Sequence, residues 1–369
     1  MTTGREPERP GPRVPQLDIL RGVAILLVIG RHMRPPTADV AAPVRAVASV
    51  WHQVGWTGVD LFFVLSGFLV SGLLFTEYQK HGALRIGRFL IRRGFKIYPP
   101  FYVFLGATLL VEAWRSGLTG EVSRQLAAEA VYLQGYVARF WSHTWSLAVE
   151  EHFYVLLPLV LLALVRRRGS LERSFRALAL IVGATALAAF ILRVLGWASY
   201  QKDYGTYLYS THLRLDSLAW GVLVSYLYHF RRAQLLAVLQ RRGVVIAVAS
   251  VALIALPFFM APDAGSLFIF GLLFLAWGFV GLMLCALARP VGLPLRLPES
   301  VGTPLAHLLG VIGFYSYSIY LWHLPVREWG IAHMRRAGFF EVAPPRRRTC
   351  SSSRRTRRRA WCGPSSWRG

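Results

Sequence analysis

Arg21 and His32 stand eleven residues apart at the two ends of an apolar stretch. At about 100° per residue, eleven residues make three helical turns plus roughly 20°, so both side chains share one face, about 16 Å apart along the axis. Asp18 lies on that face three residues before Arg21 and is placed to orient its guanidinium. A neutral imidazole inside a membrane helix suits proton removal from an acceptor hydroxyl. The competing reading makes His32 a core histidine bonded to a backbone carbonyl.

Other ionisable residues interrupt apolar runs. Asp60 lies in GVDLFFVLSGFLVSG, where Ser66 and Gly67 permit close helix packing. It is a partner either for His32 or for a structural arginine. RIGRFLIRRGFKIYPPFY gathers Arg88, Arg92, Arg93 and Lys96. Their guanidinium forks suit phosphate, while the same charges also serve to hold a cytoplasmic loop in place. HTWSLAVEEHFY puts Glu150 and Glu151 in the first turns of a span, with Trp145 and Tyr154 expected in the interfacial aromatic belt. Arg214 and Asp216 open a later run, and YSYSIYLWHLP places His323 near the outer end of the last one.

The elements that must position these groups are membrane helices. Apolar runs of about 20 residues fall at 17–33, 56–75, 97–114, 145–165, 177–197, 211–230, 243–261, 266–288 and 303–326. The expected fold is therefore all-α, a polytopic bundle of nine spans. Arginine and lysine alternate with the spans: 85–96, 166–176, 231–242 and 289–296 are basic, and the connections between them are poorer in basic residues. This places the N-terminus in the cytoplasm. The apolar stretch 22–30 has only the length of a signal-peptide core. The loose cleavage pattern Val40-Ala41-Ala42 precedes Pro43 and lies well beyond that core, so a retained helix is expected.

Of the 369 residues, 54% are hydrophobic and 16% charged, yet Lys+Arg outnumber Asp+Glu by 42 to 18, for a net charge of +24. A nucleic-acid binder would need those cations on one soluble face; here they lie in short clusters between apolar runs. Three cysteines support no disulfide framework, and no metal site is expected. The expected organisation is a cytoplasmic tail (1–16), a membrane domain (17–326), an outer-side segment (327–345) and an Arg-rich tail (346–369). That tail holds nine arginines and no acidic residue, and its charge is on the wrong side for a ninth span. An out-of-frame segment that replaces a tenth span would account for it.

The motifs LDILRGVAILLVIGRH, GVDLFFVLSGFLVSG, RRGFKIYPPFY, TWSLAVEEHFY, RLDSLAWG and YSYSIYLWHLP, in this order, resemble the acyltransferase-3 family of bacterial membrane O-acyltransferases. The resemblance implies transfer of an acyl group, commonly acetyl, from cytoplasmic acyl-CoA to a hydroxyl on a carbohydrate or similar acceptor. It implies essential roles for an Arg-x10-His pair, matching Arg21 and His32, and for the glutamate after Trp-Ser-Leu, matching Glu150. An Arg-x-x-Arg motif is matched by Arg93-Gly-Phe-Lys96, where lysine lacks the fork; Arg85-Ile-Gly-Arg88 has the same spacing. The family usually has ten spans, and the chain is similar to its stand-alone members without a fused hydrolase domain.

The expected mechanism follows. Arg88, Arg92, Arg93 and Lys96 bind the phosphates of acyl-CoA. His32 is base or acyl carrier, Arg21 stabilises the oxyanion or holds the pantetheine arm, and Asp60 or Glu150 fixes the imidazole tautomer. Trp145, Arg214, Asp216 and His323 are assigned to the acceptor. The expected location is the bacterial inner membrane, with lipid, acyl-CoA and a glycosylated acceptor as partners. The alternative reading is a proton-coupled secondary transporter using the same buried ionisable residues, although no internal repeat supports it.

Overall fold

The computed structural model describes residues 14–33, 40–115, 117–199, 208–260, 265–288 and 299–336. Every regular element among them is helical. The main helices are α1 (Pro15–His32), α2 (Ala42–Val54), α3 (Gly58–His81), α4 (Ile86–Arg115), α5 (Gly120–Ala130) and α6 (Trp145–Arg168). They continue with α7 (Phe175–Ser199), α8 (Leu215–Phe230), α9 (Arg232–Ala255), α10 (Leu272–Ala288), α11 (Glu299–Phe314) and α12 (Ser316–Arg336). Residues 1–324 form one compact unit and 325–369 a second. In the second, the described part is the end of α12, where Arg327 pairs with Glu328. The first 13 residues, residues 337–345 and the Arg-rich tail lie outside the described residues.

Among the described residues, six helical runs are long and apolar enough to cross a membrane, or seven if α11 and α12 count as one span. Two of the nine expected spans fall short of that. The first, α1, carries Asp18, Arg21 and Arg31 within 18 residues, and the sixth, α8, has only 16 residues. Both lie inside the bundle, where protein surrounds them and a polar or short helix is tolerated. The ninth expected span is broken at Tyr315, where the axis bends by 75°. A helix absent from the expectation, α2, precedes α3, and the two form one run from Ala42 to His81.

The basic segment 85–96, expected as a loop, is mostly helical and forms the first three turns of α4. Pro99 and Pro100 follow inside the same helix. They withdraw the donors that would serve the carbonyls of Phe95 and Lys96. Tyr317 Oη donates to the nearby Ile97 carbonyl at 3.1 Å, which ties α12 to α4 at this weakened level.

The centre of the bundle is the crossing of α3 and α8. A Cβ on Gly67 would lie 2.0 Å from the Leu218 carbonyl oxygen, and one on Gly221 2.2 Å from that of Val64. Only glycine lets the backbones approach so closely. Phe63, Trp145, Tyr154 and Tyr226 fill the surrounding core. Hydrogen bonds bring one set of helix ends together: Tyr226 Oη donates to the Leu171 carbonyl, and the Leu171 N–H to Tyr78 Oη. This end carries Arg166, Arg167, Arg168, Arg231 and Arg232.

Candidate active site

A cavity of about 100 Å³ opens between α1, α3, α4, α6 and α12. Helical spacing aims its polar lining inward. Arg21 comes from α1 and Ser66 from α3; Arg93 and Lys96 are one turn apart on α4; Ser146, Glu150 and Tyr154 follow at four-residue intervals on α6. Ser66 Oγ donates to Glu150 Oε1 at 3.0 Å, and Tyr154 Oη donates to Oε2 at 2.5 Å. The Arg93 guanidinium lies 4.0 Å from the centre of the Tyr154 ring. Its Nε is a buried donor with no acceptor among the described residues. Three cations therefore face two carboxylates, Glu150 and Glu151, across a space that one of those cations has not filled.

His32 does not line this cavity. It belongs to a stack of three histidines. His32 and His323 have ring centroids 4.9 Å apart, and His323 and His143 also 4.9 Å. His323 Nδ1 is 2.7 Å from the Tyr320 carbonyl, and His32 Nδ1 is 2.9 Å from that of Val28. Carbonyls only accept, so both Nδ1 atoms carry the proton. His32 Nδ1–H then also reaches His323 Nε2, at 3.2 Å. This leaves the basic lone pair of His32 on Nε2. His143 is 2% exposed and faces the Leu321 carbonyl through Nε2 at 3.3 Å. Burial, with His323 and His32 beside it, keeps His143 well below the usual imidazole range.

Tyr320 links the cavity to the histidine stack. It lines the cavity, its Oη lies 2.6 Å from Ser146 Oγ and donates to the His143 carbonyl at 2.8 Å, and its own carbonyl holds His323.

The carboxylates expected to set the imidazole tautomer have other partners. Asp60 Oδ1 accepts from Arg214 at 2.7 Å, with both side chains buried. Glu150 is bonded to Ser66 and Tyr154. The Val28 carbonyl and His323, itself held by the Tyr320 carbonyl, orient His32 instead. Arg214 and Asp216, expected at the acceptor, are buried ion-pair members: Asp216 Oδ2 accepts from Arg193 at 2.6 Å. Trp145, expected at the interface and the acceptor, is buried between Phe63 and Tyr209; Tyr154 is likewise inside the bundle. Of the four basic residues assigned to phosphate, Arg93 and Lys96 line the cavity and Arg88 and Arg92 do not.

Sequence reasoning passed over His143, Tyr320 and Arg193. An arginine inside the apolar run 177–197, four residues before its end, was a readable signal for the last. His143 and Tyr320 carried none, because their roles depend on helices far apart in the chain.

The sequence model of the acyltransferase domain that defines the acyltransferase-3 family matches residues 14–345. The peptidoglycan O-acetyltransferase OatA of Listeria monocytogenes is 26% identical over 334 residues, which cover 85% of this chain and 49% of the relative. The O-acetyltransferase OatA of Staphylococcus aureus is 26% identical over 343 residues, covering 85% of this chain and 50% of the relative. The chain thus spans about half the length of the curated relatives it matches. No solved structure matches the chain.

Proposed function

The chain belongs to the acyltransferase-3 family, and from that membership we propose that it is a membrane O-acyltransferase that moves an acyl group, acetyl foremost, from acyl-CoA to a carbohydrate hydroxyl. The observation that carries the reading is His32, whose Nδ1 donates to the Val28 carbonyl and faces His323 Nε2, which makes Nε2 the unprotonated nitrogen. An imidazole so held is a general base with a defined direction.

The donor end of the site is the cation-lined cavity. Arg93, with a buried Nε that lacks an acceptor, fits an anionic ligand, and Arg21 and Lys96 add charge around the same space. Arg88 and Arg92, on the α4 turns that lead to it, extend the positive surface. Acyl-CoA supplies the acyl group as a thioester, activated toward an oxygen nucleophile. Glu150, held by Ser66 and Tyr154, lines the same cavity as Arg21 and Arg93.

On the acceptor side, His32 Nε2 takes the proton of the attacking hydroxyl, whose oxygen forms the ester bond to the acyl carbon as the C–S bond of the thioester breaks. The proton then passes on to the departing coenzyme A thiolate. The resulting imidazolium is stabilised by its Nδ1–H, shared between the Val28 carbonyl and His323 Nε2. His323 is itself held in the accepting tautomer by the Tyr320 carbonyl. Neutral His143 closes the stack without adding charge against the imidazolium.

The Listeria relative is named for peptidoglycan, which supports a glycan of the cell envelope as acceptor here. The helices long and apolar enough to cross a membrane support a multi-pass protein of the bacterial cytoplasmic membrane. The arginine-rich helix ends then face the cytoplasm, where acyl-CoA is found. The test uses membranes from cells with and without the chain, incubated with acetyl-labelled acetyl-CoA. Label in the glycan fraction only where the chain is present supports the reading; equal label in both overturns it.

A further inference from the structure

The end of the bundle opposite the arginine-rich one carries a loop, 131–144, that is built more rigidly than a connection needs. Glu129 Oε1 accepts from the Phe140 N–H at 3.0 Å, the Trp141 N–H at 2.9 Å and Thr144 Oγ1 at 3.0 Å. Gln134 Nε2 donates to the Thr144 carbonyl at 2.8 Å, and Ser210 Oγ to the Gly135 carbonyl at 3.2 Å. Tyr132, with φ of 58°, is the one non-glycine residue with a left-handed backbone among the described residues. Strain of this kind persists only where surroundings impose it, and it gathers at functional sites.

Exposed Tyr136 and half-buried Arg139 stand on that frame, beside half-buried Tyr209 and His212. Tyr136 is 50% exposed, its ring stacks on His212 at 25°, and its Oη lies 3.2 Å from His212 Nδ1. Arg139 lies 4.2 Å from the centre of the Tyr209 ring. Tyr209 in turn packs on Trp145 at 4.8 Å. Seven residues after Tyr136 the same loop delivers His143 to the histidine stack.

A pyranose has an apolar C–H face and a rim of hydroxyls. A tyrosine face with imidazole and guanidinium donors beside it matches both. We propose that the surface formed by Tyr136, Arg139, Tyr209 and His212 is the acceptor subsite, binding a pyranose ring of a glycan with its C–H face on Tyr136 and its hydroxyls on His212 and Arg139. The inference rests on the acyl-transfer reading above and adds where the acceptor docks. The loop links this subsite to the histidine stack: Tyr136 and Arg139, which seat the sugar, and His143, whose ring packs on His323, are parts of one hydrogen-bonded segment.

The test is equilibrium binding of a tritiated N-acetylglucosamine tetrasaccharide to the full chain in lipid nanodiscs, with no acyl donor present. Tyr136→Ala and Arg139→Ala each weaken binding roughly tenfold, and Tyr136→Phe keeps most of it. Thermal unfolding of each variant at the parent's temperature shows that the fold is intact. Absence of binding by the parent, or unchanged binding by both alanine variants, overturns the proposal and returns these rings to membrane anchoring. Because no donor is present, the two readings fail separately. A chain that binds the sugar through these residues yet transfers no acetyl keeps the subsite and loses the proposed function. One that transfers acetyl while both alanine variants bind as the parent does loses only the subsite.

Discussion

His32 and His323, 291 residues apart in the chain, are joined by one hydrogen bond of 3.2 Å from Nδ1 of the first to Nε2 of the second. The Tyr320 carbonyl makes that bond possible, because it holds the proton of His323 on Nδ1 and leaves Nε2 to accept. The pair fixes which nitrogen of His32 is basic.

Removal of the acceptor should therefore cost rate before it costs donor binding. His323→Ala is expected to lower kcat roughly tenfold to a hundredfold with the KM for acyl-CoA little changed. His323→Gln, whose side-chain oxygen can still accept from His32, should recover part of the loss. Steady-state kinetics on the three proteins reads both effects.

Arg93 is the cation that the cavity most clearly reserves for an anion. Arg93→Lys keeps the charge and loses the fork and the stack on Tyr154. A rise of about tenfold in the KM for acyl-CoA is expected, larger than any fall in kcat. A kcat effect larger than the KM effect would move Arg93 from donor binding to the transfer step.

Arg193 and Asp216 form an ion pair at 2.6 Å in which neither side chain is more than 1% exposed. Arg193→Met alone strands the carboxylate, at a cost of about 3–5 kcal/mol. The double variant Arg193→Met with Asp216→Leu removes both charges and should regain most of the stability. Thermal unfolding in detergent, with single and double variants compared, checks the order.

Glu129 lies outside the membrane-spanning helices, and burial raises its carboxyl from 4.5 to about 7 against the pull of its three donors. A folded-state value above the unfolded one means that the native loop binds the proton more tightly. The stabilisation is complete below pH about 4.5 and is lost as pH rises through about 7, up to about 3 kcal/mol in all. Thermal stability should thus fall from pH 5 to pH 8 through this group. Glu129→Gln keeps the accepting oxygen and should flatten that part of the profile.

What could be read from sequence was whatever local periodicity encodes. The eleven-residue spacing puts Arg21 and His32 on one face of a helix, and α1 is that helix. The apolar runs mark most of the bundle; α1 and α8, expected as spans, are respectively more polar and shorter than the six helical runs long and apolar enough to cross a membrane. Partners across the fold were not legible. Asp60 offered two readings, and only the crossing of α3 and α8 assigns it to Arg214. Reading 85–96 as a loop hid a distinction that helical periodicity carries: Arg93 and Lys96 are one turn apart and face the cavity, whereas Arg88 and Arg92 do not.

The central claim is that His32 Nε2 takes the acceptor's proton, and its most direct test is acetyl transfer from labelled acetyl-CoA to glycan by the parent and by His32→Ala at equal protein levels in membranes. The account predicts a fall of about a hundredfold or more in His32→Ala, with binding of acyl-CoA retained through Arg21, Arg93 and Lys96. Full transfer by His32→Ala would contradict it.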